Sequence, residues 1–479
     1  MNEGIFTSLK QLFRECFRQD AESIAPMPVS GSNRHYFRIT GNGVSAIGVY
    51  NTDAKENRAF VSFTNHFRSK GLPVPRILAE DLSQNIYLEE DLGDETLFSY
   101  RSRQPDFNGQ LKGRYRQALE YLLEFQTKGA EGMDPSWCYP RAAFDRQSVA
   151  WDLNYFKYYF LKLAGVPFDE QLLENDFHTL TQFLLQADSR FFLFRDFQSR
   201  NIMLRNDEVF FIDYQGGRLG GLPYDVASLL YDGKADIPAE VRDELLEYYL
   251  ERLQAAGVWP VGEFRKYYPA FVLVRILQAM GSYGYRGFYE QKQHFLSSVP
   301  FALRNISHLL EHADLHLSIP HLRQVLLSLP ESDRLKSLSI LPLTLNIQSF
   351  SYKRGLPADN SGHGGGFVFD CRCLPNPGRE PRFRHQTGQS PEVVAYLEKE
   401  GSVAVFFEHV KSIAELAVEN YRMRQFTHLS ISFGCTGGQH RSVYFAEKLA
   451  AFFRQRYPSV RIHLKHCAEN DWETDESTN

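Results

Sequence analysis

The sequence predicts an α+β domain followed by a smaller α/β domain. Three observations predict it. Short apolar runs with strand character gather before residue 95, and helical spacing of apolar residues dominates 109–187 and 221–315. After "LSLPESDRLKSLS", which joins Pro, Ser and charge, the pattern changes to strands alternating with helices. Within that later part, "SISFGCTGGQHRSVYFAEKLA" reads as an apolar strand, a glycine-rich loop and a helix. The expected boundaries are 1–330 for the first domain, 331–339 for a linker and 340–479 for the second.

Each element has its own signal. "MNEGIFTSLKQLFREC" is amphipathic and carries acids, so it reads as a helix and not as a signal peptide. "HYFRIT" and "VSAIGVY" flank "GNG", a hairpin signal. "ENRAFVSFTNHFRSKG" has helical spacing and stops at Lys70-Gly71. "RILAED" and "NIYLEEDLG" read as further strands, and "VFFID" as a strand ending at Asp213. In the second domain "LTLNIQSFSY", "GGGFVFDCRCL" and "THLSISF" are strands. "SPEVVAYLEKEG", "VAVFFEHVKSIAELAVENYRMRQF" and "HRSVYFAEKLAAFFRQRYP" are helices, which predicts a partly parallel sheet. The terminal "AENDWETDESTN" holds five acids and no Lys or Arg and reads as a frayed tail.

Composition narrows the classes. The 479 residues are 43% hydrophobic and 23% charged, ordinary for a globular chain with a sizeable core. A net charge of -5 gives no global pull toward nucleic acid or anionic membrane. Six irregularly spaced cysteines form no disulfide framework, which points to a reducing cytoplasm. The apolar run "PAFVLVRILQAM" is broken by Arg275, so no membrane span is expected.

The chemistry starts at "FRDFQSRNIML … FFIDYQGG". Phosphoryl transfer requires a carboxylate to orient the acceptor hydroxyl and a metal to neutralise phosphate charge. Asp196 is placed to accept the hydroxyl proton, while Asn201 and Asp213 are placed to hold Mg²⁺ against the phosphates of ATP.

This region resembles the aminoglycoside phosphotransferase-like branch of the protein-kinase fold. Within it, the likeness is to bacterial kinases that phosphorylate N-acetylmuramate and N-acetylglucosamine at C1. The stretches that carry it are "SGSNRHYFRI", "GLPVPRILAEDLSQNIYLEEDLGDETL" and "FIDYQGGRLGGLPYDVASLLYD", over roughly residues 20 to 320. The resemblance implies a bilobal, protein-kinase-like α+β fold with ATP and Mg²⁺ as cofactors. It implies that Ser30, Gly31, Ser32 and Asn33 lie under the ATP phosphates. It makes Glu89, Glu90, Asp91 and Leu92 the hinge that offers backbone groups to adenine. Asp225 is expected either to brace the catalytic loop or to cap a helix. The usual kinase lysine is absent from "AIGVYN", so phosphate charge falls to Arg34, Arg38 or Lys55. Phe194 stands where many relatives carry His. Trp151, Asp152, Tyr155, Tyr158 and Tyr159 are candidates for an amino-sugar pocket, with a place in the core as the alternative.

The second loop, "GCTGGQHRS", is a phosphate-binding design. Gly434, Gly437 and Gly438 permit a tight turn, the helix N-terminus favours an anion, and Arg441 can grip two phosphate oxygens. Cys435 and Arg441 also satisfy the spacing of cysteine-dependent phosphatases. "LNIQSFSYKRGLP", "FVFDCRCLPNP", "TGQSPEVVAYL" and "SISFGCTGGQHRSVYFAEKLA" resemble the C-terminal domain of the RapZ family of bacterial RNase adapters, over about 340–470. In that family the domain senses glucosamine-6-phosphate and binds small regulatory RNA. The resemblance implies a phosphosugar loop of Cys435, Thr436, Gly437, Gly438, His440 and Arg441, with further charge from Lys353 and Arg372. It also suggests a homo-oligomer. The acidic end of "RIHLKHCAENDWETDESTN" works against RNA binding, because phosphate contacts dominate nucleic-acid affinity.

Overall fold

The "GNG" turn builds the first hairpin: Asn42 and Gly43 both adopt positive φ, +44° and +78°, as a tight two-residue reversal requires. It joins β2 (His35–Gly41) to β3 (Val44–Tyr50), after the short β1 (Ser23–Pro26). With β4 (Ile77–Asp81) and β5 (Ile86–Glu90) these make an antiparallel sheet in the order β1-β2-β3-β5-β4. Strand alternation gives the sheet two buried faces. Phe37, Ile39, Ala46 and Leu88 pack under the helix Glu3–Phe17 through Leu9 and Phe13. Ile47, Val49 and Tyr87 face the other way, onto Phe60 and Phe63 of the helix Ala54–Ser69.

The computed structural model describes residues 3–27, 34–104, 106–336, 343–357, 366–423, 426–458 and 460–472. The chain divides into two compact units, Met1–Leu338 and Ser339–Asn479. Part of the expected linker belongs to the first unit: Leu335, in the short helix Asp333–Lys336, is buried in that unit's core.

Below the sheet the first unit is mainly helical. Two small ladders interrupt the helices: β6 (Phe191–Leu193) with β9 (Arg218–Gly220), and β7 (Ile202–Arg205) with β8 (Glu208–Phe211). The β6–β9 ladder closes off the segment 194–217, and the β7–β8 hairpin lies within it. Phe194 is buried against Phe125, Phe197 and Tyr214, so this position acts as a packing element. Among the described residues, no helix is long and apolar enough to cross a membrane.

The second unit is built on a four-stranded sheet in the order β11-β12-β10-β13, from β10 (Thr344–Ser351), β11 (Gly366–Asp370), β12 (His428–Cys435) and β13 (Arg461–His466). Every pairing is parallel, where the sequence predicted a partly parallel sheet. The strand β13 was missed because its alternation is weak: only Ile462 and Leu464 are apolar, on an edge strand with no fully buried residue.

Gly438 shows how tightly the loop after β12 is built. It adopts φ +72°, and a Cβ there would sit 2.7 Å from the Ala468 side chain and 3.1 Å from Ser351 N. The neighbouring Gly437 faces open space with no such φ. Gly438→Ala should destabilise the second unit by about 2–4 kcal/mol, from backbone strain plus overpacking. Gly437→Ala should leave thermal unfolding unchanged. Melting curves of both variants check this pair of expectations.

Candidate active site and phosphate loop

The catalytic loop is fixed by side chains that arrive from far along the chain. The buried Asp225, in the first turn of the helix Pro223–Leu230, accepts from Phe194 N at 2.6 Å and Arg195 N at 3.0 Å. Of the two roles expected for it, the structure selects the brace, and Leu222 takes the N-cap position. Burial pushes the Asp225 carboxyl up to about 7, while the two N–H bonds oppose that shift. Asp232 was not foreseen. It accepts from the Ser199 hydroxyl at 2.6 Å and from Ser199 N at 3.3 Å.

Two residues in this segment carry backbone strain. Arg195 and Asp213 adopt φ +82° and +69°, unfavourable for non-glycine residues and held by the surrounding contacts. Arg195 is anchored by Asp152, with Nη1–Oδ2 2.7 Å and Nη2–Oδ1 2.5 Å, and by Tyr224 OH at 2.8 Å.

This scaffold brings the expected site residues together. Asn201 Nδ2 donates to Asp196 O at 2.8 Å and to Asp213 Oδ2 at 3.2 Å. Gln215 Nε2 donates to the other Asp213 oxygen at 2.7 Å. Burial and the nearby Asp196 charge push the Asp213 carboxyl up, while Gln215 and Arg34 pull it down. The Asp213 carboxylate with the Asn201 amide oxygen is a hard-oxygen donor pair of the kind Mg²⁺ takes, with substrate phosphates completing its shell. Among the described residues no group of three or more His, Cys, Asp or Glu could hold a metal alone.

Three cations were expected to compete for the missing lysine's place. The buried Arg34 has Nη2 3.5 Å from Glu56 of the helix Ala54–Ser69, and Asp213 and Glu56 both act on its charge. The Arg38 guanidinium is held by Asp91 (2.8 and 3.1 Å) and Asp94 (2.8 and 3.1 Å), so it ties β2 to the hinge. Lys55 lies over the Tyr139 ring at 5.9 Å. Ser30, Gly31, Ser32 and Asn33 lie outside the described residues.

At the hinge, Glu90 N donates to Arg76 O at 2.9 Å. The Glu90 side chain is held by Arg205 at 3.0 Å and by Arg76 at 3.2 Å. Leu92 is buried. Glu89 points into the cleft side of the sheet, 8% exposed, with Oε2 lacking a partner. Burial pushes its carboxyl up to about 8, against the pull of Arg34. The folded state therefore holds this proton more tightly than the unfolded chain, and folding stability should fall as pH rises from the ordinary value to about 8. Glu89→Gln should flatten that slope, matching wild type near pH 5 and exceeding its melting temperature near pH 9. Denaturation curves across that pH range read it directly.

The aromatic stripe divides. Asp152 is the partner of Arg195 and is buried. Trp151 and Tyr158 are half-exposed, and Tyr155 and Tyr159 pack with Tyr285.

In the second unit, Ser351 Oγ donates to Thr436 O at 2.8 Å and Trp472 Nε1 to Gly438 O at 3.2 Å, which holds the loop in shape. A cavity of about 270 Å³ opens over it, lined by Cys435, Thr436, Gly437, His440 and Arg441. Asn376, Arg384 and Gln439 complete its wall and were missed. The signal lay in "CLPNPGREPRFRH", whose polar residues reach the loop only through the fold. Lys353 and Arg372 are corrected: neither lines the cavity, Arg372 stacking on Tyr352 at 3.9 Å and pairing with Asp370. Gly438 shapes the turn from behind.

Arg441 is 4% exposed and its Nη1 donates to Leu374 O at 2.8 Å and Arg372 O at 3.1 Å, so only its other edge can meet a ligand. Burial keeps the His440 imidazole below its ordinary range, and Nε2 donates to Phe383 O at 2.8 Å. Cys435 Sγ and Ser442 Oγ lie 3.1 Å apart. Among the described lining residues none is Asp or Glu, so the phosphatase alternative lacks a leaving-group acid at this cavity.

A strained, doubly braced loop beneath an antiparallel sheet, presenting Asp196 beside Asn201 and Asp213, defines a phosphoryl-transfer domain of the protein-kinase-like fold. A model of the phosphotransferase enzyme family matches residues 23–264, just over half of the chain, and the chain belongs to that family. The RapZ C-terminal domain matches residues 343–468. A nucleotide-binding protein of Thioalkalivibrio sulfidiphilus is 45% identical over 123 residues, 26% of this chain and 41% of that protein. One of Nitrosococcus oceani is 34% identical over 187 residues, 37% of this chain and 62% of that protein. The chain thus spans about two-fifths of the first of these relatives and under two-thirds of the second. Among solved structures, the amicoumacin kinase hAmiN in complex with AMP-PNP, Ca²⁺ and Ami is similar at 14% identity and a TM-score of 0.46, covering 66% of this chain and 99% of that one. Choline kinase LicA of Streptococcus pneumoniae is similar at 12% and 0.42, covering 65% and 100%.

Proposed function

We propose that the first unit transfers the γ-phosphoryl group of ATP to a hydroxyl of an amino sugar, N-acetylglucosamine or N-acetylmuramate, at the anomeric position. The convergence of Asp196 and Asp213 on one Asn201 side chain carries this reading. In the reaction the acceptor oxygen bonds to the γ-phosphorus, the bond to the bridging β,γ-oxygen breaks, and ADP leaves. Asp196 takes the hydroxyl proton. Asn201 and Asp213 would hold the magnesium ion, which when bound neutralises phosphate charge. Arg34, placed by Glu56, supplies fixed positive charge near Asp213. The amino sugar as acceptor and its C1 hydroxyl rest on the resemblance of the hinge and metal-binding stretches.

The second unit, in the same reading, binds a phosphorylated amino sugar, with phosphate on the loop Cys435–Arg441 and Arg384 as an added cation. Among the described residues the exposed Arg384 side chain makes no ion pair. Such a domain allows the cell to restrain the kinase when amino-sugar phosphate is plentiful, provided the ligand binds two kinase states unequally.

Phosphorus NMR of the product tests the position. A phosphorus resonance coupled to H1 of the sugar supports the proposal; coupling to H6 replaces the anomeric assignment. Kinase rate against added glucosamine-6-phosphate tests the restraint, which an unchanged rate up to millimolar ligand removes.

A further inference from the structure

The first unit holds a second cavity, of about 340 Å³, that shares no lining residue with the site around Asp196. It lies among the helices Ala239–Ala256, Val261–Gly284 and Val299–His312. Its volume is at the low end for small-molecule sites.

Two polar groups in its wall are unusual for a packed interior. Arg242 is 7% exposed yet makes no ion pair among the described residues. Its Nη1 donates to Asn305 Oδ1 at 2.7 Å and to Ile237 O at 3.3 Å, and its guanidinium lies over the Tyr231 ring at 4.5 Å. A buried cation without an anion carries a desolvation cost that two hydrogen bonds to neutral acceptors and one ring contact offset only in part. Tyr268 is also 7% exposed, and its hydroxyl has no hydrogen-bond partner. That hydroxyl end interacts electrostatically with Tyr231, Arg242 and Asp243, all of which line the cavity. An orphaned hydroxyl donor and a buried arginine without an ion pair among the described residues, lining one cavity, are the donor types an oxyanion site uses.

We infer that this cavity binds a small organic carboxylate, held by Arg242 and the Tyr268 hydroxyl. The charge balance selects a monoanion. The other arginine of the lining, Arg265, is exposed and paired with Glu247 at 2.5 Å. The exposed Asp243 at the rim disfavours a phosphate dianion. Burial and the Arg242 charge keep His308 below its ordinary value, so it adds no positive charge at neutral pH. Phe264, Leu246 and Leu309 supply apolar wall for the carbon body.

Benzoate is the probe, with benzamide as its neutral counterpart, each titrated into the full chain by calorimetry. Wild type is expected to bind benzoate one to one, more tightly than benzamide. Tyr268→Phe removes a hydroxyl that bonds to nothing in the free protein, so it should fold as well as wild type. It should bind benzoate about fivefold more weakly, the worth of one hydrogen bond. Arg242→Gln should abolish binding; should that variant fail to fold, Tyr268→Phe decides alone. Absence of benzoate binding up to millimolar concentration, equal binding of benzamide, or unchanged binding by Tyr268→Phe overturns the assignment.

Discussion

Replacing Asp196 by Asn should lower kcat by roughly 10³-fold while leaving nucleotide affinity and the melting temperature near wild type. The side chain is only partly buried, and it is the backbone carbonyl of Asp196, not its carboxylate, that Asn201 holds. The loop therefore keeps its shape when the carboxylate becomes an amide. What the substitution removes is the carboxylate proposed to take the acceptor's proton. Asn201→Ala should behave differently. It removes the one donor that ties the Asp196 carbonyl to Asp213, so both turnover and apparent nucleotide affinity should fall. Steady-state kinetics with varied ATP separates the two patterns.

The second large effect is expected at Asp225. Its carboxylate is fully buried and is the acceptor for two consecutive backbone N–H groups of the catalytic loop. Asp225→Ala leaves the buried Phe194 N–H and the part-buried Arg195 N–H without this acceptor, at a cost of about 1–3 kcal/mol for the buried donor and less for the other. It also frees Arg195 from the contact that holds its left-handed backbone, so the loop should relax toward an ordinary conformation. The expected result is a loss of several kcal/mol in folding stability together with loss of turnover, in contrast to Asp196→Asn. Urea unfolding monitored in parallel with activity gives both numbers. A variant that stays as stable as wild type would show that the brace is dispensable.

The sequence carried the site further than it carried the contacts around it. Asp196, Asn201 and Asp213 were legible because their order along the chain reflects one short loop and the hairpin that follows it. The hairpin at Asn42-Gly43 was legible because two positive φ values need those residues. Asp225 was legible as one of two roles, and only its bonds to Phe194 and Arg195, some thirty positions away, decided between them. The pairing of Arg38 with Asp91 and Asp94 was not legible for the same reason: those partners lie more than fifty positions along the chain. Arg384 and Asn376 carry no spacing signal relative to Cys435, and their place in the cavity over the Cys435–Arg441 loop comes from tertiary packing alone. Edge strands such as β13 have little apolar pattern to show, because one flank meets solvent.

The account rests on turnover at Asp196, and the direct measurement is ADP release from ATP across a panel of amino sugars, with wild type beside Asp196→Ala. The prediction is sugar-dependent ADP release with N-acetylglucosamine or N-acetylmuramate, absent in the variant. Tight nucleotide binding without turnover on any sugar would contradict it and would leave the first unit a nucleotide-binding unit without kinase activity.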